Sequence, residues 1–292
     1  MKNTRSLVQL HIIVLILGFT ANLGKLITIQ AIELVWYRTL IAAVFLLIII
    51  KLKKGSIKIS FKEMSTYLLV GFVVAAHWIT FFHAIKVSNV SVTLACLSTT
   101  TLFTGIVEPI VMKRKFYWIE AVLGIFIIIG VFMIFEFETR YKLGIMFALT
   151  SAFLAGVFSV INKKLTHGKN AQQISFYEML GGFIIITLYL IISPGFSIGK
   201  FSITYMDIVY LLILGSICTA YAFTTVIELM KKISAYVVVL SINLEPVYGV
   251  ILAYFIFGSS EYMSTGFYSG ALIIILCVFM YQPLMRVFHK TA

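Results

Sequence analysis

Apolar residues run in long blocks along this chain, each ended by a few charged or turn-forming positions. Blocks near 8–30, 32–50, 64–86, 88–112, 116–136, 142–163, 171–193, 206–230, 235–257 and 264–285 approach or exceed the roughly 20 residues a helix needs to cross a bilayer. The pattern predicts an all-α integral membrane protein with ten transmembrane helices. Its connections are too short to hold a soluble domain. The first block is long and no small-residue cleavage pattern follows it, so it reads as a retained helix.

Composition points the same way. Of 292 residues, 61% are hydrophobic and 12% charged, against about a quarter charged in a soluble domain. Mean hydropathy is +1.05, so lipid is the expected solvent. The net charge of +12 falls in short clusters between apolar blocks, which argues for membrane loops and against nucleic acid. Seventeen lysines and arginines lie on one side, including Lys51, Lys53, Lys54, Lys113, Arg114, Lys115, Lys163 and Lys164. The other side holds Lys86, Arg140, Lys142 and Lys200, while Lys25 and Arg38 fall within spans. The positive-inside rule then places both termini in the cytoplasm, with the protein in the cell inner (plasma) membrane. Cys96, Cys218 and Cys277 sit inside apolar blocks without metal-ligand spacing, so no metal or cofactor is expected. The triplet Asn89-Val90-Ser91 reads as a helix start.

The two halves resemble each other. "LVWYRTLIAAVFLL" (34–47) aligns with "ISFYEMLGGFIIIT" (174–187), "LSTTTLFTGIV" (97–107) with "INLEPVYGVIL" (242–252), and "VLGIFIIIGVFM" (122–133) with "YSGALIIILCVF" (268–279). The shifts of 140, 145 and 146 residues keep a constant order. Five spans is an odd number, so a second copy must enter the membrane with opposite orientation. The expected organisation is two inverted five-helix repeats, residues 1–138 and 139–292, with a site at their interface.

The chain resembles the EamA family of the drug/metabolite transporter superfamily. The resemblance rests on "WYRTLIAAVFLL", "HWITFFHAIKVSNVSVTLACLSTTTLFTGIVEPI" and "LSINLEPVYGVILAYFIFGSSEYMSTGFYSGALIII", and it covers essentially the whole chain. It implies ten helices in two halves, cytoplasmic termini, and transport of small metabolites, often amino acids, without ATP hydrolysis. Two departures stand out. Thr101 occupies a place where the family often has proline, and "MKRKFYW" replaces the usual turn, so the helix breaks need not be symmetric.

Polar residues within the blocks are the candidates for function, because a charge at the bilayer centre costs at least about 2.5–3.5 kcal/mol. Glu245 lies near mid-block beside the helix-breaker Pro246, with Ser241 and Tyr248 at helical spacing. These three, with His77, Trp78, Tyr221 and Asn22, are the expected substrate-binding residues. Arg38, its repeat counterpart Glu178, and Glu228 are expected at gates or in coupling. Each has a plainer reading. Glu245 could be a kink bonded to a neighbour, His77 a helix bridge, and Arg38 and Lys25 interface anchors.

No Walker-type loop, His-Glu-x-x-His or Gly-x-Ser-x-Gly occurs, which excludes the corresponding chemistries. The expected function is a non-enzymatic secondary transporter of small, amino-acid-like metabolites working by alternating access, with export the expected direction. Proton coupling would enter through His77 and Glu245. The partners are a small-molecule substrate and the bilayer, and the state is a monomer or weak homodimer. The alternatives are efflux of lipophilic cationic drugs, a membrane enzyme, or a scaffold.

Overall fold

The computed structural model describes residues 2–113, 115–165, 169–194, 198–230, 241–242 and 244–291, which form helices and short connections without a strand. The helices are α1 (Lys2–Leu26), α2 (Ala31–Leu52), α3 (Phe61–Val87), α4 (Val90–Leu97), α5 (Thr100–Met112), α6 (Trp118–Phe137), α7 (Lys142–Leu165), α8 (Ala171–Ile192) and α9 (Tyr205–Leu212). A π-helical segment, Ile213–Tyr221, leads into α10 (Ala222–Met230), and α11 (Glu245–Phe257) and α12 (Thr265–Thr291) follow.

Among the described residues, eight helical stretches are long and apolar enough to cross a membrane, with α4 and α5 counted together as Val90–Met112. A shorter apolar stretch, Thr265–Met280, opens α12. Of the expected span 235–257, residues 235–240 and 243 lie outside the described residues, and α11 has 13 residues. Among the described residues, eight of the ten expected crossings therefore have a stretch of spanning length, while the last two expected spans coincide with α11 and the apolar opening of α12.

Local chemistry sets the helix ends. Ser60 and Glu63 form a capping box at α3, and Thr204 and Asp207 form one at α9. Each box satisfies two backbone donors that a first turn leaves free. Asn89 caps α4 by accepting from Val92 N at 2.9 Å. It is only 2% exposed.

Span 4 does not run straight. It breaks at Ser98–Thr99, although no proline stands there. The hydroxyls of Ser98, Thr99 and Thr100 donate to the carbonyls of Leu94, Cys96 and Leu97 at 3.2, 2.7 and 2.7 Å. Side chains that occupy carbonyls in this way compete with the helical ladder. The counterpart in the second half is the start of α11, where Leu244 is the N-cap and Pro246 stands in the first turn. Proline is tolerated there because first-turn amides have no intrahelical acceptor. Serine and threonine in one half thus do what proline does in the other.

In the packing, α3 lies against α7 and α8, α2 against α8 and the π segment, α1 against α11, α7 against α4 and α5, and α6 against α12. Detailed contacts recur between the halves. Tyr177 donates to Ile57 O at 3.0 Å, and Tyr37, 140 residues earlier, donates to Phe201 O at 3.2 Å. A Cβ on Gly18 would meet Tyr248 Cβ and Gly249 N at 3.1 and 3.0 Å, and one on Gly156 would meet Phe103 Cβ and Thr104 N at 3.1 Å each. Gly71 faces the Glu178 carbonyl as Gly215 faces that of Arg38.

Candidate functional site

A buried polar cluster forms where α2, α3, α11 and the π segment approach one another. Its centre is Arg38, 2% exposed, seven residues into α2 and so about 10 Å along it at 1.5 Å per residue. The guanidinium lies 3.8 Å over the Trp78 ring and 5.4 Å from Phe82. Its Nε donates to Thr219 Oγ1 at 2.9 Å, while Nη1 is buried without a hydrogen-bond partner. Arg38 is therefore no interface anchor. Stacking on indole compensates part of its desolvation, since a cation over an aromatic face gains up to about 2 kcal/mol once desolvated.

The π segment makes the Thr219 contact. Thr219 Oγ1 donates to Leu214 O at 2.7 Å, five residues back, as the wider π turn allows. Inserted π turns re-aim side chains and are frequent at functional sites. Cys218 on the same segment lies beside the Thr20 hydroxyl.

Glu245 opens α11 and is half-buried. It lies within electrostatic reach of Arg38, and so does His77. Among the described residues Glu245 and Arg38 do not close into an ion pair. One buried cation and one acid thus face each other unjoined, with an aromatic wall beside the cation.

The other expected site residues divide. Trp78 belongs to the cluster. His77 bridges helices: its Nδ1 is 2.8 Å from Ser151 Oγ and 2.9 Å from Ser151 O, and Ser151 Oγ donates to His77 O at 3.0 Å. Asn22 is fully buried and donates to Gly18 O and Gly249 O, both at 3.2 Å, which ties α1 to α11 at their close crossing. Ser241 is buried, and its carbonyl accepts from Leu244 N at 3.0 Å. Tyr248 is half-buried, with its hydroxyl 3.5 Å from His11 Nδ1.

Tyr221 does not join them. It is 45% exposed, on one stripe with Ile208, Leu212 and Ile217. The π segment sets Ile217 five residues after Leu212 on this stripe, which carries it on to Tyr221 and turns Tyr221 outward, while Thr225 stays buried. The side chain of Glu228 lies outside the described residues.

Glu178 is 1% exposed and stands apart from Arg38. Its Oε2 accepts from Asn162 Nδ2 at 3.2 Å, and its Oε1 is buried without a hydrogen-bond partner. Lys25 is no anchor either. Its ammonium pairs with Glu261 at 2.7 Å, and the Glu261 carboxylate also caps α4 through Ser91 N at 2.9 Å and Val90 N at 3.2 Å. A carboxylate at a helix N-terminus is favoured by the helix dipole.

Sequence reasoning overlooked Thr219, Ser151, Asn162 and Glu261. The first three are polar residues inside apolar blocks, and their partners lie in other blocks, so spacing within one block does not reveal them. Glu261 was hidden as an ordinary loop acid.

The sequence profile of the EamA-like transporter family matches residues 5–136 and again 142–281. The chain belongs to the EamA-like transporter family. No curated protein matches it. A solved structure described only as "Crystal structure of protein" superposes with a TM-score of 0.65 at 14% identity, covering 96% of this chain and 98% of its own. That likeness concerns the fold. EamA members are transporters of the drug/metabolite type rather than enzymes, and the paired profile matches meet between α6 and α7. In this EamA chain the cluster around Arg38 draws on both matched segments, with Arg38 and Trp78 from the first and Thr219 and Glu245 from the second.

Proposed function

We propose that the chain is a secondary transporter that moves small amino-acid-like metabolites by alternating access, with export the preferred direction. In this reading it sits in the cell inner membrane with both termini cytoplasmic, as ten spans in two inverted five-helix repeats, 1–138 and 139–292. The helix pairings support the repeat. Exchanging α1 with α7, α2 with α8, α3 with the span beginning at α9, α4–α5 with α11, and α6 with α12 maps the observed pairs onto one another. Halves related in this way can trade conformations, which opens first one side and then the other.

One observation carries the substrate reading: the unpartnered Arg38 Nη1, stacked on Trp78, facing an unpaired Glu245. A guanidinium suits a carboxylate and an acid suits an ammonium, so the pair matches a zwitterion. The same guanidinium disfavours a lipophilic cation at Glu245 by like-charge repulsion, which sets the drug-efflux alternative behind. His77, held by Ser151, serves this reading as a helix bridge.

The test is flux of labelled amino acids in proteoliposomes. Glu245→Gln should abolish it while expression and folding are retained. Undiminished flux in that variant would remove Glu245 from the site.

A further inference from the structure

Arg38 and Glu178 are repeat counterparts 140 residues apart, each seven residues into its helix. Both keep one buried polar atom without a hydrogen-bond partner. Arg38 has Trp78, Thr219 and Glu245 around it, whereas the one hydrogen bond to the Glu178 carboxyl comes from Asn162.

The approach to Glu178 is marked on α3. Glu63, Tyr67 and Gly71 follow at four-residue spacing and share one face. A Cβ on Gly71 would lie 2.1 Å from Glu178 O, so this face is pressed against α8 beside Glu178. Tyr67, one turn away, is 3% exposed and within electrostatic reach of Glu178, Glu63 and Lys169. Glu63, two turns away, reaches the surface, where Lys169 donates to its Oε1 and Ser60 to its Oε2. The stripe therefore leads from a surface carboxylate through a largely buried tyrosine to a buried acid.

We propose that Glu178 is the proton-binding site of this protein and that Tyr67 relays the proton to it from the surface at Glu63. The proposal rests on the transporter reading only in calling that proton the coupling ion. An ionised Glu178 would leave a charge in the bundle with a single amide for a partner, and burying an unpaired charge costs far more than burying a neutral group. Facing Glu178 are Tyr67 from α3 and the uncharged Asn162 from α7. Among the described residues α2, the π segment and α10 bring no charged group to it. One carboxyl and one amide offer too few oxygens for a sodium ion, which takes several. No hydrogen bond joins Tyr67 to Glu178 Oε1, so the transfer passes through one water: Tyr67 gives its hydroxyl proton to that water, which passes one on to Oε1, and Tyr67 regains one from water at Glu63. No co-reactant is needed.

The test is infrared difference spectroscopy on the full chain in lipid nanodiscs at neutral pH. The carboxyl C=O band of a buried neutral acid should be present in the wild type, missing in Glu178→Gln, and shifted in Asn162→Ala, which loses the amide donor. After transfer to D2O the isotope shift of that band should slow by about tenfold or more in Tyr67→Phe, the loss expected when a positioned proton carrier is removed. A wild type without the band, or an exchange rate indifferent to Tyr67→Phe, overturns the proposal. In proteoliposomes, the ratio of labelled amino-acid uptake with and without a pH gradient should fall to one in Glu178→Gln. A gradient effect equal to wild type, or uptake driven by sodium instead, overturns the coupling role. If wild-type vesicles move no amino acid, the transporter reading fails, and the infrared band still decides the proton.

Discussion

Arg38 shows how one residue changes meaning once its neighbours are known. On the sequence it stands beside Trp36 and Tyr37, as an interface anchor would. In the fold those aromatics turn elsewhere: Trp36 Nε1 donates to Thr187 at 2.8 Å and Tyr37 to Phe201 O. The guanidinium instead enters the bundle over Trp78. Arg38→Lys should therefore cut amino-acid flux severely, because an ammonium loses the planar stacking and the Thr219 geometry together. Flux by Arg38→Lys within about twofold of wild type would separate Arg38 from the substrate. Asn22 calls for a different readout. Its donation to Gly249 O holds α1 to α11, while that to Gly18 O stays within α1, and an interhelical bond contributes about 0.6 kcal/mol on average in membrane proteins. Asn22→Ala should lower thermal stability in detergent by about 0.6 kcal/mol.

Among the elements, the α3–α8 crossing has the least tolerance. A Cβ on Gly71 would meet the Glu178 carbonyl oxygen at 2.1 Å, and one on Gly181 would meet Leu68 O at 2.4 Å. Both obstacles are backbone and cannot rotate away. At Gly182 the nearest atom is the Ala75 methyl at 3.2 Å. Gly71→Ala should cost about 1–3 kcal/mol or more by overpacking, and Gly182→Ala clearly less. Melting curves of the two purified variants check the order, and equal melting would contradict the close crossing. The broken span 4 belongs to this scale too. Replacing Ser98, Thr99 and Thr100 together by alanine frees the Cys96 and Leu97 carbonyls for the ladder, whose bond from Ser98 N to Leu94 O is already in place at 3.2 Å. Amide hydrogen exchange near 98–101 should then slow.

Across the whole molecule, the two ends of the bundle are fastened unequally. At one end Lys25 pairs with Glu261, Lys86 donates to Ile27 O at 2.8 Å, and Asp207 accepts from Thr28 N and Oγ1 at 2.7 Å each. Both acids are buried there. At the other end Lys163 pairs with Glu108 and Lys169 with Glu63, and both lysines are more than half exposed. Lys25→Gln leaves the buried Glu261 carboxylate with only the Val90 and Ser91 amides and should cost about 2 kcal/mol, less than a fully buried pair because Lys25 is 25% exposed. Lys163→Gln should cost under about 1 kcal/mol, as exposed pairs do. Thermal unfolding of the two variants side by side measures the difference.

The sequence by itself determined the helical, apolar architecture, the positions of nearly all helices and membership of the EamA family. These follow from local causes: long apolar blocks, capping residues and short motifs read within one stretch of chain. Only the tertiary structure decided who faces whom. It turned Tyr221 outward through a π turn that α-helical spacing could not foresee, and it broke span 4 without a proline through hydroxyls that compete for carbonyls. It also set Arg38 on Trp78 within reach of Glu245 and gave the Glu178 carboxyl its one hydrogen bond from Asn162. Partners on different helices are fixed by how those helices cross, and no periodicity along one chain carries that information.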